Sequence, residues 1–209
     1  MIIYNADLAS YSRAKRLNIV NSLSGTKQAC LIGSQSNNGI TNLGIFNSVM
    51  HIGSDPALLG FMLRPHTEVR RDTFENIKET GVYTINHVHQ NILVNSHYTS
   101  AKIEENKSEF ERCGLTAEHL DGFAAPFVLE SFIKIGLKFV ERVEIKHNKT
   151  SIIIGEIQTI QIPDEVLETN GYLNLEIARN VAVSGLNRYY SVNHIMDLPY
   201  ARNNEIPKF

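Results

Sequence analysis

Residues 29–81 read ACLIGSQSNNGITNLGIFNSVMHIGSDPALLGFMLRPHTEVRRDTFENIKETG. The apolar run 29–32 is followed by Gly33 and the polar cluster Ser34-Gln35-Ser36-Asn37-Asn38-Gly39, the pattern of a buried strand ending in an Asn-Gly hairpin turn. Residues 40–50 then mix Thr41, Asn42, Gly44, Asn47 and Ser48 with Ile45, Phe46 and Val49. That texture is too polar for a simple core strand and implies that something polar is held against this backbone. Ser54-Asp55-Pro56 makes a turn, because proline fixes its own φ and drives the preceding residue toward extended geometry. ALLGFML (57–63) is apolar throughout, long enough for a buried strand and short for a helix.

After Arg64-Pro65 and a short loop, Arg70-Arg71-Asp72-Thr73 leads into FENIKETG. With Asp72 as cap, Glu75 at the capping-box position and Gly81 as stop, a short helix over 73–79 is expected. Two arginines ahead of a helix N-terminus combine unpaired N–H groups, the positive dipole end and forked guanidinium donors, a set suited to phosphate. The alternative is that Arg70 and Arg71 are solvated surface charges.

Length and composition bound the rest. A chain of 209 residues, 43% hydrophobic, suffices for one domain over 1–209, with an introductory arm at 1–28 and a tail at 184–209. Twenty basic and 22 acidic residues give a net charge of −2 without clustering, which argues against a nucleic-acid partner. Only two cysteines, Cys30 and Cys113, are present, so no disulfide framework is expected and a reducing cytoplasm fits. No run approaches a membrane span and no secretory leader opens the chain, so neither membrane insertion nor export is expected.

Along the chain, Asp7 suits a helix cap in the arm, with helical pattern through Lys15 and Arg16 to Leu23. VYTINHV (82–88) reads as a strand with both faces partly covered. His87 and His89 stand two apart, but no further ligand joins them at metal spacing, so no metal is assigned. Residues 90–101 read as a helix loosening into a loop, and 102–113 as a charged, solvated helix anchored by Phe110. Ile133, Ile135, Leu137 and Phe139 alternate before the apolar register slips to Val143 and Ile145, which predicts a bulge. The turn 147–150 returns the chain along SIIIGEIQTIQIP (151–163), completing an antiparallel hairpin. LNLEIARNVAV (173–183) has helix-compatible spacing.

The order of these parts resembles the flavin reductase-like family of FMN-binding split barrels. The matching residues are Asn38-Gly39, Asn42, Phe46-Asn47-Ser48, Asp55-Pro56, Arg71, Thr73, Asn76-Ile77, Gly81 and Asn86. Ser108-Glu109-Phe110-Glu111, Gly114-Leu115 and Ala125-Pro126 match more weakly. The resemblance implies a mainly β fold with peripheral helices, an antiparallel Greek-key split β-barrel. It implies FMN as cofactor, with Arg70, Arg71 and Thr73 near the phosphate. Ser34, Gln35, Ser36, Asn42, Asn47 and Ser48 would serve the ribityl chain and ring edge, and Phe46 the apolar wall. FMN rather than FAD is expected from one helix terminus, one arginine pair and no dinucleotide fingerprint.

Hydride transfer from NADH or NADPH to flavin N5 is the implied activity, and it requires no acid–base side chain. No catalytic residue is therefore assigned. A non-catalytic FMN-binding or flavin-storage protein is the alternative. His97, Tyr98 and Ser100 match a segment that lies near the flavin in the family, or else form an ordinary surface loop. Tyr189, Tyr190 and Arg202 match the family's aromatic segment and tail loosely. The family's pairing implies a homodimer, with the tail wrapping the partner.

Overall fold

The computed structural model describes residues 1–65, 70–102, 104 and 107–208. Two helices, α1 (Asn5–Ser10) and α2 (Arg13–Ser22), precede β1 (Lys27–Gln28), β2 (Cys30–Gln35), β3 (Thr41–Phe46), β4 (Val49–Ser54) and β5 (Ala57–Leu63). Then come α3 (Asp72–Thr80), β6 (Val82–His87), a 3-10 turn at Gln90–Ile92, α4 (Leu93–Tyr98) and α5 (Glu109–Cys113). The chain continues with β7 (Ala117–Leu120), β8 (Phe123–Val128), β9 (Lys134–Ile145), β10 (Thr150–Gln161), β11 (Val181–Ser184) and β12 (Arg188–Ser191).

Seven strands form one antiparallel sheet in the order β3-β2-β6-β9-β10-β5-β4. Its two edge strands, β3 and β4, are consecutive in the chain and separated only by Asn47 and Ser48. Two edges joined by so short a link require the sheet to curl until they meet. The link closes the curl: Met62 N donates to Ser48 O at 3.3 Å, carrying the β4–β5 pairing into it, and Phe46 of β3 lies edge-on to Phe61 of β5 at 5.1 Å. The result is a barrel split along one side.

Alternation decides what fills the barrel. Cys30 and Ile32 of β2, Tyr83 and Ile85 of β6, Ile135 and Leu137 of β9, and Phe61, Leu63 and Ile153 share one buried cluster, joined by Phe74 and Ile77 of α3. Ala29, Leu31 and Leu43 face the other way, into a second cluster with Ile92, Phe110, Val181 and Val183. The run 29–32 is apolar throughout because both faces of β2 are covered. Buried polar side chains fix a smaller hairpin, β7-β8, across this layer. Thr84 donates to the Pro126 carbonyl at 2.7 Å, and Asn86 bonds Leu31 O, Thr84 Oγ1 and Val128 N.

The expected turn at Asn38-Gly39 is present: Gly39 has φ 81°, and Ser36 and Ile40 close the loop. The register slip also appears, since Ile154 pairs with Glu141 and Gly155 with Phe139, leaving Val140 as the extra residue of a bulge. Gly155 sits under the Tyr83 ring, and a Cβ there would lie 2.4 Å from the phenol oxygen.

Four expectations are corrected. Residues 173–183 are not a helix. Asn174 bonds Ile177 N and Ala178 N, Arg179 takes φ 49°, and the Val-Ala-Val run pairs with β1 and β12 as β11. The two periodicities are hard to separate in so short an apolar run, and the available sheet edge decided it. Asp72 is not the cap of α3: Arg71 holds that position, Asp72 accepts from Arg70 Nε at 2.7 Å, and Glu75 pairs with Lys78. Asp7 lies inside α1, its carboxylate accepting from Tyr4 N. The solvated helix expected over 102–113 is α5 alone, with Phe110 buried; residues 103, 105 and 106 of that expectation lie outside the described residues. The β7-β8 hairpin had no counterpart in the sequence reading.

Candidate functional site

An open cavity of about 1080 Å³ lies beside the split, where β3, the link from β3 to β4, the end of β5 and the N-terminus of α3 converge. Pockets for small ligands generally reach about 1,000 Å³, so the space accommodates a nucleotide-sized molecule. Residues 42–48 form one wall, with Met62, Leu63 and Arg64 beside them. Arg70, Arg71, Asp72 and Thr73 form the charged end, and 99–102 with Glu104 and Glu109 also line the space. Asn21 of α2 and Leu186 of the β11-β12 turn complete the rim.

The polar texture of 40–50 now has a physical reason. Among the described residues β3 pairs only with β2, so its other edge is open to the cavity. Leu43 N points out along that edge and donates to Glu109 Oε2 at 3.0 Å. By antiparallel alternation, the N–H and C=O of Ile45 point the same way. Burial, with the Asp72 carboxylate adding to it, pushes the Glu109 carboxyl up; the Leu43 N–H opposes this.

At the charged end, α3 begins with Arg71 as its cap residue, and the guanidinium bonds the Pro65 carbonyl at 3.4 Å. Arg70 pairs with Asp72 across an exposed surface. Thr73 is buried, and its hydroxyl accepts from Asn42 Nδ2 at 3.0 Å. Asn42 also reaches Ser34 Oγ at 3.3 Å. A helix start flanked by two arginines and a threonine hydroxyl is a donor set suited to an anion.

Of the ten residues singled out from sequence, Asn42, Phe46, Asn47, Ser48, Arg70, Arg71 and Thr73 line this cavity. Three do not. Ser34 is fully buried behind Asn42. Gln35 has a buried side-chain oxygen without a partner among the described residues. Ser36 lines a neighbouring recess of about 130 Å³ with Asn38, Thr41 and Asn76. Ser100 lines the large cavity, whereas Tyr98 is exposed and His97 bonds the Tyr189 hydroxyl at 2.8 Å.

Arg64, Met62, Lys102, Glu109, Asn21 and Leu186 also line the cavity and were not anticipated. Arg64 carried a signal: a lone cation directly after an apolar strand lies at that strand's mouth. The others come from segments distant in sequence.

His87 Nδ1 lies 2.9 Å from Asn180 Nδ2, and burial lowers its pKa to about 4. His89 bonds the Glu130 carbonyl and stacks on Phe132 at 4.4 Å. No group of His, Cys, Asp or Glu among the described residues is arranged to hold a metal ion. Nor is any described helix long and apolar enough to cross a membrane.

Comparison with known proteins agrees with this architecture. A protein from Shewanella frigidimarina NCIMB 400 whose description is 'putative flavin reductase with split barrel domain' is 44% identical, with TM-score 0.92 over 96% of this chain and 100% of that one. Nitrilotriacetate monooxygenase component B from Bacillus cereus is 16% identical, with TM-score 0.84 over 95% and 98%. Flavoredoxin of Desulfovibrio vulgaris (Miyazaki F) is 22% identical, with TM-score 0.73 over 85% and 92%. These two share the fold. Residues 25–179 match the flavin reductase like domain, and the chain therefore belongs to the flavin reductase-like family.

Proposed function

We propose that this protein binds FMN in the large cavity and works as an NAD(P)H-dependent flavin reductase. The supporting observation is convergence: the arginine-flanked start of α3, the open edge of β3 and the apolar surface of Phe46, Met62 and Leu63 border one space. The donor set fits the cofactor, with Arg71 toward a phosphate, Asn42, Thr73 and the Ile45 backbone toward hydroxyl or ring-edge groups, and Phe46 against a ring. Bound FMN supplies the hydride acceptor, N5, for a hydride from NADH or NADPH. The protein's part is to hold the flavin with one face open and to exclude competing water.

A second copy of the chain completes the reading. The tail presents Ile195 and Tyr200, each 87% exposed, and Leu198, while α2 and its C-cap present Val20 and Leu23. Apolar side chains this exposed at both ends of a chain suit burial against a two-fold partner. Phe209, the last residue of the proposed wrapping tail, lies outside the described residues.

The test is the visible spectrum of the purified protein, anaerobically, before and after NADH or NADPH. A flavin band that bleaches supports the reductase. A band that persists with both donors replaces it with a flavin carrier, and FAD alone in the mass of the released cofactor overturns the FMN assignment.

A further inference from the structure

Four polar side chains form a linked set beneath the cavity. Ser34 of β2 stands opposite Asn42 of β3 in the strand register, and Thr73 and Asn76 lie three residues apart on α3, hence on one helix face. Asn76 Nδ2 donates to Ser34 Oγ at 3.2 Å, Asn42 Nδ2 to the same oxygen at 3.3 Å, and Asn42 Nδ2 again to Thr73 Oγ1 at 3.0 Å. Ser34 is 0%, Asn76 4% and Thr73 8% exposed. Asn42 and Thr73 line the large cavity; Ser34 and Asn76 do not.

Helix-on-sheet contacts are ordinarily apolar, and a buried polar set is tolerated only when its members satisfy one another. Here the bonding also fixes what the cavity receives. Both hydroxyl contacts of Asn42 are made through Nδ2, so Oδ1 is left as an acceptor with no partner among the described residues. Thr73 uses its oxygen to accept from Asn42, so its proton is available to donate. One acceptor and one donor therefore stand side by side. A phosphate dianion, which only accepts, matches half of this pair, whereas a chain of hydroxyls, each both donor and acceptor, matches all of it.

We infer that Ser34 and Asn76 are positioning residues that hold Asn42 and Thr73 as a preset acceptor–donor pair for a polyhydroxylated chain, the ribityl portion of a flavin. This rests on the flavin reading above. The two buried residues touch no ligand, and they act by keeping the Asn42 amide from rotating. The phosphate belongs to the arginines, and the hydroxyl chain to this pair.

Titration of wild type, Ser34→Ala, Asn76→Leu and Arg71→Ala with lumiflavin, riboflavin and FMN tests the assignment. Lumiflavin has the ring alone, riboflavin adds the ribityl chain, and FMN adds the phosphate. The Ser34 and Asn76 variants are expected to lose about tenfold for riboflavin and for FMN with lumiflavin unchanged; Arg71→Ala is expected to lose affinity for FMN alone. Equal losses for all three ligands, or an altered far-UV spectrum in both buried variants, reduce Ser34 and Asn76 to structural residues and overturn the inference. Unchanged riboflavin affinity in both overturns it as well. Wild-type protein that binds none of the three ligands instead overturns the flavin reading, and this inference with it.

Discussion

Asn47 Nδ2 donates to the carbonyl oxygen of Gly185 at 2.9 Å, across 138 residues of chain. The bond fastens the β11-β12 turn to the point where the two edges of the split barrel meet, and it brings Leu186 to the rim of the cavity. A single bond of this kind contributes about 1 kcal/mol. Asn47→Ala is expected to lower stability by about that amount in urea denaturation. Asn47→Asp should not restore it, since a carboxylate has no proton to donate. Wild-type stability in Asn47→Ala would show that the turn is held by packing alone.

Arg71→Ala and Thr73→Val should weaken FMN binding and leave the fold intact. For Arg71, a hydrogen bond to a charged group is worth about 1.5–3 kcal/mol, equivalent to roughly tenfold to a hundredfold in affinity, and the neutral Thr73 contact about 1 kcal/mol. Flavin fluorescence titration measures this, with far-UV circular dichroism as the fold control. An unchanged curve for Arg71→Ala would move the phosphate away from the start of α3, and one for Thr73→Val would take its hydroxyl out of the site.

Acid should act through His87. Burial lowers its pKa to about 4 from the usual 6.5, so the folded protein keeps the ring neutral where the unfolded chain protonates it. Between pH 6.5 and 4 the unfolded state binds more protons, and stability falls as pH is lowered through that window, the loss being complete below about 4. His89 is lowered by burial too and adds to the same slope. His87→Gln is expected to flatten, without abolishing, the decline of Tm over this range. An unaltered profile would mean that His87 does not carry it.

Gly155 and Tyr83 make a packing prediction. A Cβ at 155 would meet the phenol oxygen at 2.4 Å and two ring carbons at 2.9 Å. Gly155→Ala should cost about 1–3 kcal/mol, as overpacking of a core does. Tyr83→Phe should be neutral or stabilising, because the buried hydroxyl has no partner among the described residues. In the Gly155→Ala background Tyr83→Phe should recover part of the loss, and additive effects in urea denaturation would show that the two sites do not touch.

Much of the barrel was legible because local rules and tertiary context agreed. The Asn38-Gly39 turn, the strand 57–63, the helix ending at Gly81 and the bulge after Phe139 each follow from turn chemistry or side-chain alternation. Residues 173–183 failed for the opposite reason. Leu173, Leu175, Ile177 and Ala178 allow a helix, and pairing with β1 and β12 makes Val181-Ala182-Val183 a strand.

Most of the strands and turns, the basic, donor-rich character of Arg70-Arg71-Thr73 and the polar character of 40–48 follow from the sequence, because those properties reside in neighbouring residues. Tertiary structure alone decided which of them share a cavity. Ser34 and Asn42 lie close in sequence, yet Asn42 lines the cavity and Ser34 is sealed behind it, since strand pairing stacked the two under α3. Glu109, Asn21 and Leu186 reach the same space from distant segments. Curling a seven-stranded sheet until β3 meets β4 creates that proximity, and no local pattern records it.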